Sequence, residues 1–373
     1  MSDFDVAIIG AGVIGLASAA ALASDGRSVV VLERNPKPGQ ETSSRNSGVI
    51  HAGLYYPPGS LKAVTCVEGR EQLYTRCAAL DIAHRKTGKL LVATDEAEEK
   101  KLSEILERAR QNGAGELRWL ERAEIKRLEP AVEARSGLWS PESGIVDVHE
   151  LMYSYQKQAR DGGALFVFQT EVQRLEREAA GWRLTTLGAG TSAATLSARI
   201  VINAAGLFAD RIAEAAGLDI DALGYRYRWC KGDYFALTPE LRGLVTHLVY
   251  PVPVHAGLGI HVTFDLGGKL TLGPDTEYVS ELAYRVDPSK RALFAAAARR
   301  YLPSIRDEQL TVDYAGIRPK LQGPGEPFRD FVIEDAAAHG KPGLINLIGV
   351  ESPGVTASSA IAARAAALAH AAS

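Results

Sequence analysis

Gly10, Gly12 and Gly15 stand in the run GAGVIG, directly after the apolar residues 6–9 and at the head of a helical pattern over 14–23. That spacing suits a phosphate-binding turn. Gly10 permits a tight strand-to-helix reversal, Gly12 lets a diphosphate approach the backbone, and Gly15 lets the helix lie close on the strand. The diphosphate would rest on the free N–H groups of the helix N-terminus, those of Val13 and Ile14 among them. Glu33 closes the next apolar run, 29–32, with Arg34 beside it. A carboxylate at that remove from the glycines accepts hydrogen bonds from ribose hydroxyls and repels the 2′-phosphate of NADP. Far along the chain, Leu344-Ile345-Asn346-Leu347-Ile348 leads into Glu351, Pro353, Gly354, Val355 and Thr356, and then into an alanine-rich helix. Three separated segments that serve one dinucleotide point to flavin adenine dinucleotide, FAD, and so to a redox enzyme. The start of the last helix would then face the flavin edge on which negative charge gathers during reduction.

Periodicity supplies the elements that would hold these residues. A βαβ unit spans 5–33. Helical patterns follow over 60–79 and 97–111, the second densely charged and read as a solvated face. Another helix covers 149–159, ahead of strands at 164–168 and 182–187. Residues 199–203, continuously apolar at 200–202, read as a strand buried inside a parallel sheet and end in the turn Ala204-Ala205-Gly206. From 226 to 273 short alternating strands broken by Gly and Pro indicate an antiparallel sheet. A helix at 289–301, a strand at 311–321 and a helix at 358–372 complete the chain. The dinucleotide segments bracket the strand-rich ones. The expected fold is a two-domain α/β flavoprotein, in which a mixed or antiparallel substrate sheet is inserted into a Rossmann-like FAD-binding domain. Residues 1–80, 142–220 and 322–373 would form the FAD domain, and 81–141 with 221–321 the substrate domain. The site would lie where the two meet, at the C-terminal ends of the parallel strands.

The 373 residues suffice for two domains, and a net charge of -3 leaves no footprint for nucleic acid. No apolar stretch is long enough to span a membrane. The start MSDFDVAIIG runs straight into the first strand, which leaves no room for a cleavable signal. Cys66, Cys77 and Cys230 lack the spacing of a zinc site or a disulfide framework, so no metal is expected. A cytoplasmic protein, with or without peripheral docking at the inner membrane, fits these features.

The segment RNSGVIHAGLYYPPGSLKAVTCVEG, with GAGVIG before it, resembles the FAD-dependent L-2-hydroxyglutarate dehydrogenase/oxidase group of the D-amino-acid oxidase (DAO) superfamily. VINAAGLFAD, KGDYF, HLVYPVP, GIHVTFD and YAGIRP have counterparts there, so the resemblance covers nearly the whole chain. Its Gly-rich pieces are generic to flavoproteins, whereas NSGVIHAGLYY is specific to this branch. Two stretches depart from the group: the turn GVESPGVT, and GIRPKL, whose Arg-Pro pair looks more like glycine oxidase. The resemblance implies oxidation of a small L-2-hydroxy acid to the 2-oxo acid by hydride transfer to flavin N5. A glycine or D-amino-acid oxidase-like enzyme and a glycerol-3-phosphate oxidase-like enzyme are the alternatives. From another class comes a flavin-binding assembly protein without turnover. A carboxylate substrate and an electron acceptor (oxygen, a quinone or an electron-transfer protein) are the implied partners.

Such a reaction needs a base, a carboxylate anchor and contacts that hold the flavin. His51 is the first candidate base, because imidazole takes a proton near neutral pH with little tuning. A structural histidine and a histidine linked covalently to flavin are the competing readings. His261 is the second base, grouped with Gly259 and Thr263 by strand alternation, and a core histidine fits it equally. Arg318 is the anchor, since guanidinium grips a carboxylate through two parallel hydrogen bonds. An internal ion pair is its bland alternative, and by resemblance it contacts substrate or flavin. Lys231 and Lys320 are weaker anchors, and Tyr250 is a candidate donor to a substrate oxygen or a packing residue. The polar loop Thr42, Ser43, Ser44, Arg45, Asn46 and Ser47 lies against the flavin in relatives. Val172 would meet the adenine through its backbone, and Ala205 and Gly206 would let their turn approach the dinucleotide.

Overall fold

A computed structural model describes residues 2–188, 190, 193–253 and 259–372. The strand Phe4–Ile9 runs parallel to Val29–Leu32 on one side and to Ala194–Asn203 on the other. Its residues Val6, Ala7 and Ile8 are fully buried, as a strand with parallel neighbours and helices on both faces must be. The sheet continues through Leu165–Val167 beyond the second strand. Leu344–Ile348 pairs in parallel with the C-terminal half of Ala194–Asn203. The hairpin Thr170–Glu178 with Gly181–Gly188 adds an antiparallel edge. The chain goes outward from Phe4–Ile9 to Val29–Leu32 on one side and later comes back to Ala194–Asn203 on the other, so the turn at Gly10 opens at a switch point of the sheet, where such folds take their ligands.

Helix Val13–Ser24 packs on Val148–Asp161 and on Ser358–Ala371, which places the last helix beside the first turn. Those three helices and one sheet face share a continuous apolar core. The opposite face is covered by Ala209–Ala215 and its neighbours. The helix expected at 97–111 is Glu96–Gln111. Asp95 caps it by accepting from the Glu98 N–H, and Glu98, Leu102, Ile105 and Ala109 form its buried stripe. The charged face is therefore only partly solvated, since buried Glu98 pairs with Arg300.

A nine-stranded sheet forms the second layer. Lys89–Ala93 pairs in parallel with Leu248–Pro251 and antiparallel with Ser136–Ser140, so the sheet is mixed. The expectation of short strands over 226–273 needs one correction. Arg228–Leu237 is a single strand of 10 residues, paired along its length with Leu310–Lys320. Gly232 within it is a close approach: a Cβ there would lie 2.5 Å from Cβ of Pro274. A third, small sheet joins Val49–Ile50, Gly144–Val146 and His84–Arg85. It carries the chain across to His51, just beyond its edge.

Candidate active site

Two cavities meet beneath the switch point and share Gly12, Thr42, Ser43, Ala204 and Gly206 in their walls. One end is lined by Gly10, Glu33, Arg34, Val172 and Ala205. The other reaches His51, Tyr250, His261 and Arg318. The trough therefore joins the sequence-selected dinucleotide residues to the sequence-selected chemical ones.

Its middle is built for a diphosphate. Helix Val13–Ser24 begins at Gly12 with no side-chain cap and no acidic residue in its first turn. Of its early N–H groups, Val13 N donates to Ser43 Oγ at 3.0 Å. Gly10 has φ 104°, and a Cβ on it would lie 2.5 Å from the Ala204 carbonyl oxygen. Gly15 is not on the wall; a Cβ there would sit 2.0 Å from the Gly10 oxygen, so this glycine sets helix-to-turn packing rather than touching a ligand. Gly15→Ala is accordingly expected to yield protein that no longer retains the yellow cofactor, read as loss of the visible flavin absorbance from the protein peak after gel filtration. Glu33 Oε2 accepts from Ala11 N and Oε1 from Asn35 N, each at 2.8 Å, which fixes the carboxylate at the trough edge with lone pairs to spare. Arg34 is turned to Glu41 at 2.8 Å and lies 3.6 Å over the Phe208 ring. An uncapped helix start, a clamped carboxylate and a trough of two lobes fit FAD.

The 3-10 turn Thr42–Ser44 crosses the waist. Thr42 Oγ1 donates to the Ile317 carbonyl, which ties the loop to the second sheet. Ser44 corrects the sequence reading: three residues per turn rotate it away from Ser43, and its hydroxyl donates to Glu41 O outside the wall. Arg45, Asn46 and Ser47 do line the cavity. Arg45 stacks 4.0 Å over Tyr284, and its Nε has no hydrogen-bond partner. Asn46 Nδ2 donates to Ser43 O at 2.8 Å and its Oδ1 accepts from Gly48 N, which rigidifies the loop.

His51 follows the strand Val49–Ile50. Its backbone N–H donates to Thr356 Oγ1 at 3.0 Å, so the last turn of the chain positions the first candidate base. Nε2 lies 3.3 Å from Ser352 Oγ, while Nδ1 is buried without a partner. Burial, then the charge of Lys89, hold its pKa well below the usual 6.5. His261 precedes Val262–Phe264 rather than lying within a strand. Its Nδ1 is 3.0 Å from Gly259 O; a carbonyl only accepts, so Nδ1 carries the hydrogen and Nε2 is a free lone pair. Burial and Lys89 push its pKa down to about 3. Its ring stacks on Tyr250 with centroids 3.7 Å apart.

Arg318 extends from Leu310–Lys320 into the same cavity. No carboxylate pairs with it among the described residues. Nε donates to Cys230 O, and Nη2 to Lys231 O and Asp275 O, at 3.3, 3.3 and 3.0 Å. Nη1 has no protein partner among them. Lys231 is corrected as an anchor. Cys230 stands directly opposite Arg318 in the antiparallel register, so Lys231 projects from the other face. Its ammonium meets Asp233 at 3.0 Å and Arg285 O at 2.5 Å. Lys320 lies off the wall too and, with Lys62, pairs with Glu351 Oε1 at 3.2 and 3.0 Å. Burial would raise the Glu351 pKa, but Lys62, Lys320 and Arg318 outweigh it and bring it to about 2. Glu351, Pro353, Gly354, Val355 and Thr356 all line the cavity.

Sequence reasoning missed Tyr234, Thr276 and Ser352 on the wall, and Lys89 behind it. Tyr234 was within reach, two residues after Gly232 on the strand KGDYF and therefore on the same face.

The family described as DAO, FAD dependent oxidoreductase, matches residues 5–368. The chain belongs to that family. The DAO fold is equally plain in solved structures. The L-alpha-glycerophosphate oxidase of Mycoplasma pneumoniae with FAD bound superposes with a TM-score of 0.89 at 26% identity, over 99% of this chain and 95% of that one. Glycine oxidase of Geobacillus kaustophilus, at 23% identity and a TM-score of 0.81 over 99% and 95%, shares the fold. The mitochondrial L-2-hydroxyglutarate dehydrogenase of Arabidopsis thaliana is 39% identical over 96% of this chain and 82% of its own length. That of Homo sapiens is 30% identical over 96% and 87%. This DAO-family chain is thus an FAD-dependent oxidoreductase. The cytoplasmic expectation is overturned, because these relatives are described as mitochondrial. No helix among the described residues is long and apolar enough to cross a membrane.

Proposed function

We propose that the protein oxidises a small L-2-hydroxy acid of the 2-hydroxyglutarate kind to its 2-oxo acid. One observation carries the reading: a half-buried guanidinium with no carboxylate partner among the described residues and two imidazoles whose pKa values are held down line one cavity, continuous with the trough that fits FAD. The relatives named L-2-hydroxyglutarate dehydrogenase support it. Bound FAD supplies the two-electron acceptor. Arg318 grips the C1 carboxylate and so orients C2. His51 accepts the hydroxyl proton at Nε2, the atom beside Ser352 Oγ. That hydroxyl turns strongly acidic as its carbon gives up hydride, so a weakly basic imidazole suffices, provided that it is free of a proton beforehand. His261 is the second acceptor and the Tyr250 hydroxyl a donor to a substrate oxygen.

Gly10, Gly12, Val13 and Ile14 would hold the diphosphate, Glu33 the ribose, and Val172 the adenine. Residues 42–47 without Ser44, together with 351–356, would hold the flavin. We further infer that 1–80, 142–220 and 322–373 fold as the FAD domain around 81–141 and 221–321. In support, the strands of the eight-stranded sheet fall in the first set and those of the nine-stranded sheet in the second.

The test is anaerobic bleaching of the bound FAD. L-2-hydroxyglutarate is expected to bleach it stoichiometrically, whereas the D isomer, glycine and glycerol 3-phosphate leave it yellow. Bleaching by glycine or glycerol 3-phosphate alone would replace the reading with that enzyme. Reoxidation by oxygen, a quinone or an electron-transfer protein then identifies the acceptor.

A further inference from the structure

Lys89 heads the strand Lys89–Ala93, buried at all five positions, and is itself 0% exposed. Its Nζ has no hydrogen-bond partner, and no carboxylate pairs with it among the described residues. The ammonium lies instead 4.1 Å from the ring centroid of Tyr250 and 5.8 Å from that of Tyr55. Tyr250 reaches it from Leu248–Pro251, the parallel neighbour in the sheet. The same Tyr250 ring carries His261 stacked at 3.7 Å with an interplanar angle of 12°. An ammonium, a phenol ring and an imidazole thus form one column that ends in the cavity wall.

A buried ammonium without a counter-ion opposes folding, and contact with an aromatic face offsets only part of that cost. The titratable and charged groups around it are His51 and Tyr55 from the segment after Val49–Ile50, Cys66 and Arg70 from helix Leu61–Leu80, Tyr250, His261 and, across the cavity, Arg318. None is an acid at neutral pH, because burial also pushes the Cys66 thiol up to about 12. Two further buried polar atoms, His51 Nδ1 and the Tyr55 hydroxyl, also lack partners among the described residues.

We propose that Lys89 is a positioning residue of the site: its ammonium fixes the Tyr250–His261 wall and supplies the buried positive charge against which His51 works. The inference rests on the reading above that His51 receives the substrate proton. Lys89 touches neither the cavity nor a substrate; it acts through the two histidines. A positive charge behind them disfavours imidazolium, so His51 meets the substrate as an acceptor even in mildly acidic solution. Burial, with the Cys66 thiol in opposition, brings the Lys89 pKa itself to about 7. The hold on the histidines is therefore strongest below neutral pH, where Lys89 is charged and a histidine would otherwise take a proton.

Lys89→Met keeps the length of the side chain and removes the charge; Lys89→Arg keeps a charge. The first readout is independent of substrate: histidine ring carbons are followed by NMR in the 13C-histidine-labelled holoenzyme, with His51 and His261 assigned by signals lost in His51→Gln and His261→Gln. In the wild type both rings should take up protons only near the acid end of the folded range. In Lys89→Met they should begin to titrate within it. The second readout is the pH profile of anaerobic FAD bleaching, whose acid limb should move up by about one unit in Lys89→Met and remain in place in Lys89→Arg. Should the methionine variant fail to take up FAD, Lys89→Gln replaces it. Histidine titrations and an acid limb unchanged in a folded, FAD-loaded neutral variant would make Lys89 a purely structural residue and overturn the proposal. A wild type that no 2-hydroxy acid bleaches would instead sink the functional reading, while the histidine titrations still decide the part played by Lys89.

Discussion

His51→Ala is expected to slow anaerobic reduction of the bound FAD by about a hundredfold or more, the usual scale for loss of a positioned base. FAD content should hold. The residues that fit the diphosphate and ribose, Gly12 and Glu33, lie in the waist and far lobe of the trough, and the His51 backbone contact to Thr356 does not depend on the imidazole. The wild-type rate should be nearly flat from pH 6.5 upward, because burial and Lys89 hold the His51 pKa well below 6.5. Its acid limb falls where the imidazole finally takes a proton. The variant should lose that limb together with the rate. Stability follows the same linkage. Both histidines bind protons more readily in the unfolded chain, so each lowers stability as pH falls below about 6.5, and His51→Ala should melt later than wild type in acid by a margin that vanishes at neutral pH. Stopped-flow bleaching across pH, with melting curves on the same samples, checks both. An unchanged rate and profile would pass the role of base to His261, whose free Nε2 opens on the same cavity.

The residues that sequence alone exposed share a physical property. Gly10, Gly12, Gly15 and Glu33 answer to local backbone geometry: a strand, a turn, a helix and a second strand within one short segment, each with its own residue requirement. The C-terminal segment was legible for the same reason, a helix start that follows a buried strand. Arg318 was legible because guanidinium amid Gly316, Ile317 and Pro319 has few bland explanations, and among the described residues no carboxylate pairs with it to supply the blandest. Long-range pairing hid the rest. Lys231 and Lys89 look alike in the chain, each a lysine on an apolar strand. Register decides between them: Lys231 alternates away from Arg318 and finds Asp233, whereas Lys89 is closed over by Leu248–Pro251 and lies over the rings of Tyr250 and Tyr55. Ser44 shows the limit on a smaller scale, since a polar loop does not announce which of its hydroxyls turns inward.

Arg318→Ala should cost about 2–5 kcal/mol in stabilisation of the bound carboxylate, the range for removing one side of a buried charge-assisted pair. At 1.36 kcal/mol per tenfold, kcat/KM for L-2-hydroxyglutarate then falls by roughly thirtyfold to several thousandfold. Arg318→Lys should recover little of it. The wild-type guanidinium is held flat by the Cys230, Lys231 and Asp275 carbonyls on Nε and Nη2, which leaves Nη1 for the ligand. A lysine ammonium in that nest would satisfy the same carbonyls and lose the planar fork that orients C2. The loss should therefore appear in kcat as well as KM, because misorientation of C2 affects the reacting geometry and not the affinity alone. Single-turnover FAD reduction at several substrate concentrations separates the two. FAD content and melting temperature must be measured beside it, since the alanine variant strands three buried carbonyls. A variant that releases FAD would make Arg318 a cofactor ligand. One with wild-type kinetics would end its role as anchor, and Arg45, which faces the same cavity with an unpartnered Nε, would be the next cation to remove.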